Sequence, residues 1–72
     1  MTKGAVLLRK WRGDRTQLQA AEIIGLADHT RLSKFERGDR PGLDQAVLIE
    51  RGTGGAVPVE SWTEEAKQPK AG

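Results

Sequence analysis

Glycines divide this chain into short pieces, and that punctuation restricts the fold more than any other feature of the sequence. Gly13, Gly25, Gly38 and Gly52 each follow a segment of six to ten residues with apolar side chains at helical spacing. A glycine just past the last periodic residue is a common helix stop. No run alternates between apolar and polar residues over a useful length. The sequence therefore predicts an all-α fold, a compact bundle of four to five short helices.

Local capping signals support these helices. Thr16 and Gln19 have the spacing of a capping box, in which each side chain bonds the backbone N–H of the other residue. Asp28 is a favourable N-cap for the following helix, and Pro58 suits the first position of one last turn. The predicted helices cover residues 5–12, 16–24, 28–37 and 43–51.

The length of 72 residues allows one domain, which we place at residues 1–65, followed by a polar tail at 66–72 that is expected to be disordered. The chain has no cysteine and one histidine, which excludes a disulfide scaffold and leaves no metal-ligand set. No apolar run is long enough to span a bilayer, and no secretion signal is visible, so a cytoplasmic location is expected. We expect no cofactor and no small-molecule substrate.

The apolar residues at helical spacing predict the core of the bundle. The set comprises Leu8, Trp11, Ala21, Ile24, Leu32, Phe35, Leu43, Val47 and Leu48. Beyond it, Val57, Val59 and Trp62 lie in a largely polar, acidic segment. They either cover the core or form part of a dimer contact, and the sequence leaves both alternatives open.

The charges are distributed unequally along the chain. Residues 1–40 carry nine Lys/Arg against five Asp/Glu, whereas residues 41–72 carry three against five. A basic half favours a polyanionic partner, and an acidic half is better suited to protein contacts. Ordinary solubilising charge is an equally good explanation when charge is considered alone.

The segment 28–38, DHTRLSKFERG, separates into two faces when it is placed on a helix. Leu32 and Phe35 lie three residues apart on one face and can attach the helix to the body of the protein. The opposite face is polar and cationic. Because the preceding helix is short, capped and ends at Gly25, the two helices have the arrangement of a helix-turn-helix, in which the second helix enters the DNA major groove.

The stretch TQLQAAEIIGL followed by HTRLSKFERGDRPGLDQAVLIE resembles the Cro/repressor-type (XRE) helix-turn-helix family. The resemblance covers about residues 16–50, and it implies a lambda-repressor-like DNA-binding domain with the helix-turn-helix at about 16–37. Three features depart from the family pattern. Ala20 stands where the family usually has Leu, Arg15 stands where an apolar residue usually precedes the Thr-Gln pair, and the turn between the motif helices is one residue longer.

The resemblance assigns roles to individual residues. Those expected to read base edges are His29, Thr30, Arg31, Ser33 and Lys34, and those expected to contact phosphates are Gln17, Arg15, Arg37 and Arg40. Leu32, Phe35 and Ala21 are structural. Glu36 is structural as well, because an acid on a DNA-binding face would be repelled, and it is expected to pair with Arg9 or Arg12. For each exposed candidate the plain alternative is a solvated helix face.

The resemblance implies a sequence-specific transcriptional regulator, most simply a dimeric, phage Cro-like or antitoxin-like repressor. Such a protein binds double-stranded DNA at an inverted-repeat operator. The alternative function is a protein-interaction module that masks a partner with its C-terminal segment, which contains Trp62. An enzyme is not expected, because one histidine and no cysteine leave no nucleophile and base to nominate.

Overall fold

Five helical segments make up the part of the chain that the computed structural model describes, residues 2–63. They are α1 (Lys3–Arg12), α2 (Gln17–Ile24), α3 (His29–Glu36), α4 (Leu43–Gly52) and a 3₁₀ helix (Val59–Thr63). No β-strand occurs within these residues, so the predicted all-α bundle is confirmed. None of the helices in this range is long and apolar enough to cross a membrane. The predicted tail at 66–72 and the domain end at residue 65 lie outside the described residues.

Side-chain caps fix the beginnings of the first three helices. The Thr16 hydroxyl accepts from the Gln19 N–H, and the Gln19 side chain accepts from the Thr16 N–H, both at 3.0 Å. The capping box is therefore confirmed. Asp28 caps α3 as predicted. The first helix begins two residues earlier than predicted because the Thr2 hydroxyl accepts from the Ala5 N–H and caps it there.

The turn between α2 and α3 depends on Gly25. This residue has φ 96° and ψ 21°. The conformation is left-handed, and it is energetically unfavourable for every residue that has a side chain. The N–H groups of Gly25 and Leu26 both donate to the Ala21 carbonyl, at 2.8 and 2.9 Å. This closes the end of α2 and redirects the chain, so that α3 packs against α2.

Small residues let the helices approach one another closely in the core. The core side chains are Ala5, Leu8, Ala20, Ile24, Leu32, Phe35, Ala46, Ile49, Val57 and Trp62. Ala20 is fully buried. Alanine fills less of the core than a leucine would at this position, but the position is still closed to solvent. Leu26 packs against the cluster from the turn.

The core prediction was wrong for the exposed face of α4. Leu43 is 72% exposed and Leu48 is 37% exposed, whereas Ala46 and Ile49 are buried. Ala46 and Ile49 are three residues apart and form one stripe of the helix, while the leucines lie on other sides of it. Two further expected core residues, Trp11 and Val47, are half-buried. The stripe of Ala46 and Ile49 is buried because α4 packs against α2 and the 3₁₀ helix.

Trp62 covers the core from the C-terminal side. Its indole lies directly on α1 at Gly4, where an added Cβ would come within 2.4 Å of the ring. It also meets Phe35 of α3 edge to face, with the ring centroids 6.0 Å apart. Trp62 is 3% exposed and Val57 is fully buried within the protomer. Trp62 and Val57 therefore cover the core, which was one of the two alternatives for this segment. Val59 is half-buried.

Candidate nucleic-acid interface

The two predicted faces of α3 are present in the structure. Leu32, Phe35 and Glu36 are buried and attach the helix to the rest of the protein. The predicted base-reading residues lie on the other side of the helix: His29, Thr30, Arg31 and Lys34 are exposed, and Ser33 is half-buried. The outer surface of α3 is therefore polar and cationic along its whole length.

Glu36 is held by Arg12 from α1. The Arg12 Nε donates to Glu36 Oε2 at 2.6 Å, and Nη2 donates to Oε1 at 3.0 Å. This bidentate pairing raises the pKa of Arg12 above its usual value. Gln17 adds a longer contact, its Nε2 lying 3.4 Å from Glu36 Oε1. The structural role predicted for Glu36 is confirmed, and Arg12 rather than Arg9 is the partner found in the structure.

One cleft runs along α3 on the side of α1 and α2, and we call it the α1-side cleft. Its lining residues are Arg9, Arg12, Gln17, Ser33, Glu36 and Arg37. Three arginines and one glutamate line this cleft, and Glu36 is paired with Arg12. Two predicted phosphate contacts, Gln17 and Arg37, are thus brought together beside Ser33.

A second cleft runs along the opposite side of α3, next to the start of α4, and we call it the α4-side cleft. Its lining residues are Asp28, Thr30, Arg31, Lys34, Phe35, Asp39, Arg40 and Gln45. Three cations and two acids share this cleft. The predicted base readers Arg31 and Lys34 therefore lie in one concave surface with the predicted phosphate contact Arg40.

Arg15 is the candidate that the structure separates from these clefts. Its guanidinium stacks over the Trp11 ring, 4.7 Å from the centroid, and its Nη1 donates to the Trp11 carbonyl at 3.0 Å. Arg15 lines a different surface depression, with Gln19, Glu22 and Ile23. Cation–π stacking and a backbone hydrogen bond hold the side chain on α1, away from the surface of α3.

Sequence reasoning missed several residues of the two clefts. Gln45 belongs to α4, and no local pattern could connect it with α3 before the helices were packed. Arg9 was considered only as a partner for Glu36. Asp39 follows α3 closely in the chain, and this proximity could have identified it as a residue of the cleft. Asp28 was identified as a helix cap only, although its carboxylate also faces the cleft that contains Arg31.

The cationic side chains around α3 can contact an anion. Guanidinium and ammonium groups lie on both sides of the helix, and hydroxyl groups lie between them. Within residues 2–63, no group of three or more His, Cys, Asp or Glu side chains is placed to hold a metal ion. Comparison of the chain with protein-family models, with curated proteins and with solved structures finds no significant match.

Proposed function

We propose that this chain is a sequence-specific regulator that binds double-stranded DNA by inserting α3 into the major groove. The observation that carries the proposal is the exposed polar face of α3, bordered by cationic clefts on both sides. A B-DNA major groove admits one α-helix, and the phosphates on its two edges face the flanks of that helix. The resemblance of residues 16–50 to the XRE family supports the same function.

In such a complex, phosphate contacts and base contacts are made by different residues. Arg37 and Arg40 flank α3 and suit phosphates, which fix the position of a protein on DNA without reading its sequence. Arg31 can donate two hydrogen bonds to guanine O6 and N7, and the Thr30 methyl group can pack on a thymine methyl group. Arg15 is not assigned a DNA contact, because it is engaged with Trp11.

Regulation follows from occupancy alone. A homodimer with two-fold symmetry presents two copies of α3 to successive major grooves, about 34 Å apart, on an inverted repeat. A protein bound there excludes RNA polymerase from an overlapping promoter, with no reaction required. A bacterial or phage regulator of this kind acts in the cytoplasm.

The acidic balance of residues 41–72 still favours the alternative function, a partner-masking module built on the C-terminal segment, but that function loses its second supporting observation. That observation was an exposed Trp62, and the side chain is packed against Gly4 and Phe35. We therefore carry forward DNA binding as the proposed function.

The proposal is tested by selecting duplexes from a pool with a randomised centre and measuring affinity for the selected sequence by gel shift. Arg31→Ala should weaken binding by about 1–3 kcal/mol, the usual value of a specific base contact. Arg15→Ala is the matched control, since it removes the same exposed charge away from α3, and it should bind nearly as well as the unmodified protein. Equal binding to the selected and a scrambled duplex, or binding that is insensitive to moderate salt, would overturn the proposal.

A further inference from the structure

The two acids closest to α3, Glu36 and Asp28, differ in burial and in their partners. Glu36 is buried and paired with Arg12. Asp28 is exposed at the N-terminal tip of α3 and lines the α4-side cleft beside Arg31 and Lys34. A carboxylate on a surface that meets phosphates lowers affinity, unless it finds a hydrogen-bond donor there. The location of Asp28 therefore calls for a specific partner.

The helix cap occupies only one oxygen of Asp28. The N–H groups of Thr30 and Arg31 both donate to Oδ1, at 2.9 and 3.2 Å. Two bonds to the same atom fix the carboxylate relative to the helix axis, and Oδ2 takes no part in them. The hydrogen bond from the Arg31 backbone N–H first, and then one from the Thr30 side chain, lower the pKa of Asp28. At neutral pH the group is therefore ionised and can only accept hydrogen bonds.

The major groove offers few donors to such a group. Guanine presents two acceptors, and thymine presents an acceptor and a methyl group. Adenine presents an amino group beside the N7 acceptor, which would repel a carboxylate. Cytosine presents its N4 amino group with no acceptor of its own beside it. A fixed carboxylate in the groove therefore discriminates in favour of cytosine.

We propose that Asp28 is a specificity-determining residue that accepts a hydrogen bond from cytosine N4 through Oδ2, next to a guanine bound by Arg31. The inference rests on the proposed function, since it names the bases that the same helix reads. Arg31 and Asp28 present a donor pair and an acceptor in one cleft. The selected DNA should therefore contain neighbouring G·C pairs, with their guanine and cytosine read by different residues.

The test uses two substitutions at Asp28 that preserve the cap. Asn and Ser are N-caps comparable with Asp, so Asp28→Asn and Asp28→Ser should both fold, which far-ultraviolet circular dichroism checks. Asp44→Asn is the matched control, because it removes one exposed acidic charge from the first turn of α4, outside both clefts. Each protein is used to select duplexes from the same randomised pool.

The unmodified protein and Asp44→Asn should both select cytosine at one position, and the two Asp28 variants should lose that preference while keeping the others. Exchanging that C·G pair for T·A should reduce the affinity of the unmodified protein about 10-fold, in the range of a single mismatch. The same exchange should cost Asp28→Ser less than about 3-fold.

Three outcomes would overturn the inference. If the Asp28 variants select the same base as the unmodified protein at every position, Asp28 acts only as a cap. If their affinity changes by one factor on all sequences, Asp28 acts only through its charge. If the unmodified protein selects no sequence, the proposed function itself fails and the inference fails with it. The first two results leave the proposed function standing.

Discussion

The Arg12 guanidinium holds the Glu36 carboxylate with two hydrogen bonds, of 2.6 and 3.0 Å. Arg12 is the last residue of α1 and Glu36 is the last residue of α3. The pair therefore connects the first helix to the C-terminal end of the helix that we propose for DNA recognition. Arg12 also donates to the Arg15 carbonyl at 2.9 Å, so the same guanidinium holds the loop that leads into α2.

Glu36→Ala should destabilise the protein by about 1–3 kcal/mol, because it leaves Arg12 without its partner in a half-buried position. Urea unfolding followed by circular dichroism measures the loss. Glu22→Ala, which removes an exposed carboxylate from α2, should change the free energy of unfolding by less than about 0.5 kcal/mol. In a double-mutant cycle with Arg12→Ala, strictly additive effects would show that the two residues are not coupled.

Gly4→Ala should also destabilise the protein. A Cβ at this position would lie 2.4 to 2.8 Å from three atoms in the body of the Trp62 ring, so the whole indole must move. The cost of such overpacking is about 1–3 kcal/mol, which exceeds the gain of up to about 1 kcal/mol from replacing glycine in a helix. The measurement is the urea midpoint.

Gly42→Ala is the control for that substitution, because an added Cβ meets nothing within 4 Å there. Because Gly42 is the N-cap of α4, where alanine is less favourable than glycine, its effect should be a loss of no more than about 1 kcal/mol. Equal stabilities of the Gly4 and Gly42 variants would show that the packing of the Trp62 indole does not depend on its close approach to α1.

The stability of the protein should depend on the ionisation of Asp28 in acid. The backbone hydrogen bonds from Arg31 and Thr30 lower the pKa of this carboxyl in the folded state. Its capping contribution is therefore complete above the unfolded value of about 3.9, and it is lost as the pH falls through the lower folded value. The melting temperature of the unmodified protein should fall more steeply below pH 4 than that of Asp28→Asn. Parallel curves for the two proteins would contradict this prediction.

The salt dependence of DNA binding should identify phosphate contacts. Each phosphate contact contributes about −0.9 to the slope of log affinity against log salt concentration for duplex DNA. Arg37→Ala should therefore reduce the magnitude of the slope by about 1 on every sequence. Arg51→Ala, which removes an exposed arginine near the end of α4, should leave it unchanged. If the slope is the same with and without Arg37, this residue does not contact a phosphate.

The helix bounds were predictable from the sequence because caps and glycine stops are local signals. Thr16 and Asp28 each bond groups within three residues, so the sequence contains everything needed to place them. The anchoring face of α3 was predictable for a similar reason, since Leu32 and Phe35 define a single stripe. The role of Glu36 came from the resemblance and from the cost of exposing an acid on a DNA-binding face.

The remaining features depend on contacts between distant parts of the chain. On α4, Leu43 is more hydrophobic than Ala46, yet Ala46 is buried and Leu43 is exposed, because packing against other helices decides which side of α4 faces the core. The contact of Trp62 with Gly4 joins opposite ends of the described chain, and no periodic pattern in the sequence predicts it. The stacking of Arg15 on the Trp11 ring could likewise not be predicted from the local sequence pattern.

The contact between Trp62 and Phe35 provides a built-in optical reporter for α3. The indole is nearly inaccessible to solvent and touches the inner face of the helix whose outer face we propose to read DNA. Tryptophan emission responds to small changes in its surroundings, so any shift of α3 on binding should change the fluorescence of a residue that never meets the ligand. Trp11, half-buried beneath Arg15, should be the more accessible of the two to a soluble quencher. Movement of the helix could thus be followed in the unlabelled protein.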